Sequence, residues 1–275
     1  MNKYITILAL LCSTALFSDQ DSLNFSGRPF NHKLIYSETA EQSKKWAIGV
    51  RFNLAMPLQF PLPIPTTDLF ININDWFDFD IVRSGWNELN VDSNYTITDL
   101  FWTVGLRSRP YKTSLFNKPL NLSGGIKLFN SSFEMISKGD LDTTTINDKS
   151  FVLYLTQTMA LAEKHRVNLF SSFSMRKGSG GGYYFIPSYT YFMNKRWSFN
   201  FEYYTTNSLR LPYKILQFTL DENNLDFFNS KREMVSFMLY GFTYCRKHLR
   251  IDLAMGNHIS FSSPHILLIG AGWQF

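Results

Sequence analysis

Trp46-Ala47-Ile48-Gly49-Val50-Arg51-Phe52-Asn53-Leu54-Ala55-Met56 alternates without a break. Trp46, Ile48, Val50, Phe52, Leu54 and Met56 fall on one face, and Ala47, Gly49, Arg51, Asn53 and Ala55 on the other. Successive side chains of an extended backbone point to opposite faces, so this is a strand with one apolar face and one small or polar face. Strands of soluble sandwiches average about five or six residues, whereas a strand crossing a bilayer at a tilt needs about nine to eleven. The quoted run has the membrane length.

The same period returns further along the chain. Leu120, Leu122, Gly124, Ile126 and Leu128 share a face, as do Phe151, Leu153 and Leu155, and then Val167, Leu169, Phe173 and Met175. Trp197, Phe199, Phe201 and Tyr203 form another row, and Leu249, Ile251, Leu253 and Met255 the next. With 100–106, 183–193, 234–244 and 266–275 the strong strands number ten. No period of 3.6 separates them.

The connections supply an independent reading. A membrane barrel has an even number of strands, short turns on one side and longer loops on the other. Here 57–96, 130–150 and 205–233 are long, while 162–166, 194–196 and 245–248 are short. Counted in order, the odd connections contain most of the long ones, and with both termini on the inner side these face outward. Two weaker alternations, Leu69, Ile71, Ile73, Phe77, Phe79, Ile81 and Leu216, Phe218, Leu220, would raise the count to twelve. As one strand each they would also move the tight turns at Ala162 and Asn194 to the outside, so ten strands is the preferred reading and twelve the alternative.

Composition narrows the class. The 26 Phe, 14 Tyr and 6 Trp need apolar surroundings. Mean hydropathy is nevertheless −0.14, and no run of about eighteen apolar residues follows the N-terminus, which excludes a polytopic helical membrane protein but not alternating strands. The 27 Lys and Arg against 22 Asp and Glu are scattered rather than gathered into a stripe, so nucleic acid is not an expected partner.

Residues 1–18 read as a cleaved secretory signal peptide: Lys3, an apolar stretch through Leu11, then the small residues Ser13, Thr14 and Ala15. Leu11 before Cys12 argues against a lipoprotein signal. Residues 19–45 are polar, contain Gly27-Arg28-Pro29, and form either a periplasmic N-terminal tail or a partial plug; 46–275 is the barrel. Once Cys12 leaves with the signal, Cys245 is the one thiol, so no internal disulfide is available.

The chain ends Leu267-Leu268-Ile269-Gly270-Ala271-Gly272-Trp273-Gln274-Phe275, with Leu267, Ile269, Ala271, Trp273 and Phe275 on one face. This resembles the closing strand of Gram-negative outer-membrane β-barrel proteins, with an aromatic last residue and apolar residues at alternate positions before it. The resemblance implies an all-β, closed antiparallel transmembrane barrel over 46–275, outer-membrane lipid as its surroundings, and recognition of the last strand by the barrel assembly machinery. Trp46, Trp102, Tyr111, Trp197, Tyr203, Tyr244 and Trp273 fit interfacial aromatic girdles.

With the apolar faces toward lipid, Arg51, Asp99, Arg107, Lys127, Arg176, Glu202, Arg250 and Asp252 face the lumen. Five basic and three acidic groups make either a weakly anion-favouring channel or a network of compensating pairs that fills a narrow barrel. His32, His165, His248, His258 and His265 have no identifiable catalytic partner by spacing, and His165 and His248 fall in inner-side turns, so no catalytic residue is assigned. Asp75, Asp78 and Asp80 lack the glycine and terminal Glu of a helix-loop-helix calcium site and read as solvated loop charge. Lys177-Gly178-Ser179-Gly180-Gly181-Gly182 reads as a flexible hairpin loop rather than a phosphate cradle. Pro57, Pro61, Pro63 and Pro65 favour an extended loop after the first strand. No metal or cofactor is expected. The sequence therefore points to an outer-membrane channel or transporter for small polar solutes, with a structural or surface-interaction barrel as the alternative.

Overall fold

The structure, a computed structural model, describes residues 34, 37–41, 47–57, 63–73, 77–90, 95–137, 143–176, 182–206, 235–258 and 266–275. The signal at 1–18, Trp46, the glycine run 178–181, and the 216–220 alternation lie outside them. Thirteen strands follow in chain order: β1 Ala47–Pro57, β2 Ile64–Ile73, β3 Phe77–Asn90, β4 Tyr95–Ser108, β5 Tyr111–Leu115, β6 Lys118–Ser137, β7 Thr143–Ala162, β8 His165–Arg176, β9 Gly182–Phe192, β10 Trp197–Thr206, β11 Val235–Arg246, β12 Leu249–His258 and β13 Ile266–Gln274.

Every pairing is antiparallel between neighbours in sequence, with two exceptions that close the sheet. β13 returns to β1, and β4 pairs directly with β6. The result is a closed barrel of twelve strands with β5 as an extra one. β5 pairs with residues 118–122 of β6, alongside the stretch where β4 has already ended. Arg109-Pro110 makes the break, because proline has no N–H to continue the ladder. Closure satisfies the backbone groups that an open edge would leave bare in hydrocarbon.

Twelve strands correct the preferred count of ten. The residues 57–96, read as one long outer connection, contain the β2–β3 hairpin. Only three residues separate its strands, and in the antiparallel register Ile73 faces Phe77 and Ile71 faces Phe79. Partners across this turn are both odd-numbered, so the alternation runs through it in phase and cannot mark it. Because the hairpin adds two strands together, the turns at 163–164, 193–196 and 247–248 stay on the side of the two barrel ends, Ala47 and Phe275, while 58–63, 91–94, 138–142, 177–181, 207–234 and 259–265 connect strands on the opposite side.

The two faces of the wall divide by parity. Ile48 and Phe52 on β1, Leu153 and Leu155 on β7, Phe173 and Met175 on β8, and Leu253 and Met255 on β12 are exposed, while Arg51, Val152, Thr156, Ser174 and Asp252 are buried. An apolar belt this extensive is untenable in water and is what a hydrocarbon surround requires. On β13 the exposed face carries Ile269, Ala271 and Trp273 and continues to Phe275, opposite buried Gly270, Gly272 and Gln274. The Phe275 N–H donates to the Ile48 carbonyl at 2.8 Å, pinning the last residue to the seam with β1. Trp102, Tyr111, Trp197 and Trp273 are exposed aromatics of the outer face, and the Trp197 and Tyr244 rings lie 4.9 Å apart.

Candidate functional site

The interior face of the barrel is the candidate site, and its charges come in pairs. Arg51 on β1 and Arg250 on β12 both reach Asp252: Arg51 Nη2 lies 3.1 Å from its Oδ2, and Arg250 Nε is 3.0 and 2.9 Å from its two oxygens. Arg107 on β4 pairs with Asp78 on β3, and Asn72 donates to the same carboxylate at 2.6 Å. Lys127 on β6 lies 3.5 Å from Asp80. Its ammonium also stands over the Tyr154 ring at 5.4 Å. Glu202 on β10 is fully buried and accepts from the Tyr204 hydroxyl at 2.5 Å.

Of the charged candidates, Arg51, Arg107, Lys127, Glu202, Arg250 and Asp252 therefore sit inside the barrel, within two groups. The side chains of Asp99 on β4 and Arg176 on β8 lie outside the described residues. Asp78 and Asp80, expected as solvated loop charges, are instead buried on β3, and Asp68 is buried on β2. Sequence reasoning missed all three because their strands were read as a loop. The signal was present, since 68, 70, 72, 78 and 80 share one parity. Among the described interior residues, Arg51, Arg107, Lys127, Arg166 and Arg250 stand against Asp68, Asp78, Asp80, Glu202 and Asp252, so the described charges of the wall balance. Asp75 lies outside the described residues, and no group of carboxylates and imidazoles suited to a metal is found among them.

β9 to β12 carry a polar ladder across the wall. Thr190 donates to Asn200 at 3.0 Å, Asn200 to Thr243 at 2.8 Å, and Thr243 to Asp252 at 2.6 Å. Nearer the long connections the same arc is apolar, with Ile186, Tyr204, Leu239 and Ala254 packed together against Phe170, Phe237 and Leu268. The Tyr204 and Phe237 rings stack 4.3 Å apart. Buried Cys245 is a free thiol on β11. His165 is hydrogen-bonded to the Tyr189 hydroxyl, and the His258 side chain lies outside the described residues.

Several large interior side chains lie back against the wall. Phe70 faces Gly49 directly across the β1–β2 ladder, Asp80 faces Gly105, and Tyr154 faces Gly125. A Cβ at any of these glycines would collide with the side chain opposite it. Each glycine thus makes room for its partner to recline along the sheet instead of projecting across the lumen.

The interior also holds chain from before β1. Leu34 and residues 37–40 are buried. The Leu34 carbonyl accepts from Arg250 Nη2 at 2.7 Å and from Arg51 Nη1 at 3.3 Å. The Ser37 N–H donates to Glu202 Oε2 at 2.8 Å, and the Ala40 N–H donates to Thr158 Oγ1 at 2.8 Å. Arg107 donates to the Thr39 carbonyl at 2.6 Å and to the Glu41 carbonyl at 3.3 Å. Glu38 pairs with Lys127, and Glu41 lies 3.4 Å from Arg166. These partners stand on β1, β4, β6, β7, β8, β10 and β12, which one short segment can reach together only from inside the barrel.

No family model matches the chain, and no curated protein matches it. Among solved structures it is similar to the KdgM porin, with a TM-score of 0.51 at 10% identity over 83% of this chain and 99% of that one. It is also similar to the KdgM porin in complex with disordered oligogalacturonate, with a TM-score of 0.50 at 10% identity and the same coverage of 83% and 99%. The NanC porin aligns over 82% of this chain and 97% of its own, at 9% identity and a TM-score of 0.44. The KdgM likeness spans nearly all of that porin and matches the architecture derived above: the fold is that of an outer-membrane β-barrel.

Proposed function

We propose that this protein is an outer-membrane channel for small polar solutes, with its termini and short turns in the periplasm and its long connections outside. The observation behind this reading is the wall of the lumen. It is polar, its described charges balance, and Phe70, Asp80 and Tyr154 lie over glycines that let them recline along the wall. Twelve strands lie between small side-chain-filled barrels and large porins in diameter, so such reclining decides how much bore remains. The porin character of the KdgM structures supports the same role.

The C-terminal face of Leu267, Ile269, Ala271, Trp273 and Phe275 is the segment offered to the assembly machinery, and residues 1–18 direct export. One observation favours a structural barrel instead: the interior ion pairs and the buried segment before β1 both occupy the lumen. Recording the purified protein in planar bilayers separates the two. Discrete openings with little cation or anion preference are expected from the balanced wall. A heat-shifted, correctly folded barrel that never opens, even with the segment loosened, contradicts the channel.

A further inference from the structure

We propose that the lumen contains a binding site for a short acidic peptide, and that Leu34 and residues 37–41 occupy it as a displaceable plug. The inference rests on the channel reading and adds its closing element.

The site recognises a main chain. Arg51, Arg250 and Arg107 donate to three backbone carbonyls, while Glu202 and Thr158 accept from two backbone N–H groups. Lys127 and Arg166 receive two acidic side chains three residues apart, Glu38 and Glu41. Donors, acceptors and cations thus match a short, bent peptide bearing carboxylates.

The seat is also built to be vacated. Burying a charge without a partner is costly, and a plug whose departure stranded cations would be fixed in place. Here Arg51 and Arg250 retain Asp252, Arg107 retains Asp78, and Lys127 retains Asp80. Arg166 retains the Ala162 and Glu163 carbonyls at 2.8 and 3.1 Å. What departure removes is the two ion pairs of Glu38 and Glu41 and a set of main-chain hydrogen bonds, which water entering a polar lumen replaces. Balance changes in the same direction, because the segment adds two acids to a wall whose described charges balance without it.

The test uses the full chain in planar bilayers, with folding verified by heat-modifiable migration. In Glu38→Gln/Glu41→Gln, losing two charge-assisted contacts raises the open probability by about tenfold or more. A synthetic peptide of residues 33–42, added from the short-turn side, closes that variant again, and the same peptide with both acids changed to Gln closes it more than about tenfold less well. In a Cys245→Ser background, Ala40→Cys/Thr158→Cys joins the segment to β7, so openings vanish on oxidation and return on reduction. Equal openings in the oxidised and reduced pair, or no closure of the loosened variant by the acidic peptide, would overturn the plug while leaving the channel standing. No openings in any variant would overturn both.

Discussion

The two halves of the lumen wall hold themselves together differently. From β2 to β7 the interior relies on separate ion pairs, Arg107 with Asp78 and Lys127 with Asp80, beside large side chains laid over glycines. From β8 to β12 it relies on a ladder of hydroxyls and amides from Thr190 to Asp252, capped by the apolar cluster around Leu239. The first half concentrates charge where it meets the segment before β1. The second sets its charges between neutral rungs, with Arg166 on β8, Glu202 on β10, and Arg250 and Asp252 on β12, and it too meets that segment through Arg166, Glu202 and Arg250. Both halves grip the segment, but the means of holding the wall differ, and substitutions in each should report different properties.

The largest expected effect is in the ion-paired half. Arg107→Ala leaves the Asp78 carboxylate buried without its cation and should cost about 3–5 kcal/mol, read as a lower temperature of the heat-modifiable transition. A double variant, Arg107→Met/Asp78→Leu, should recover most of that loss; failure to recover would assign the cost to packing. In the other half, Leu239→Ala opens a cavity beside Ile186 and Ala254 and should cost about 2–5 kcal/mol, with conductance unchanged. Asn200→Ala interrupts the ladder between Thr190 and Thr243 and should cost about 1–3 kcal/mol in the same melting measurement. The smallest effect concerns bore rather than stability. Gly49→Ala meets only the Phe70 ring and pushes it off the wall, so single-channel conductance should fall in part while the melting transition moves less than in the variants above. An unchanged conductance there would mean that reclining side chains do not set the bore.

The barrel itself was legible because burial in lipid on one face and in a polar lumen on the other writes a period of two into every strand. Turn length decided where that legibility failed. A two-residue turn pairs residues of opposite parity, as in Leu115 with Lys118 and Arg246 with Leu249, so the alternation reverses and the turn shows itself. The three residues 74–76 join Ile73 to Phe77 at equal parity, and β2 and β3 merged into one apparent strand inside a loop. Asp68, Asp78 and Asp80 were lost with that hairpin, which made the lumen look anion-favouring. Ion pairs such as Arg107 with Asp78 depend on which strands are neighbours and on their register, and neither is written in one strand's own sequence. The segment at 34 and 37–41 carries no alternation at all. Its place follows from contacts that residues spread over seven strands make together.

Adjacent positions on β7 give the most direct test of the central claim, that solute passes through the polar interior of a membrane barrel. Leu155 is exposed on the outer face, and Thr156 beside it is fully buried inside. With Cys245→Ser as background and the segment loosened, a charged thiol reagent should reduce single-channel current through Thr156→Cys and leave Leu155→Cys unchanged. Block at Leu155→Cys but not Thr156→Cys, or current indifferent to modification at both, would contradict the account.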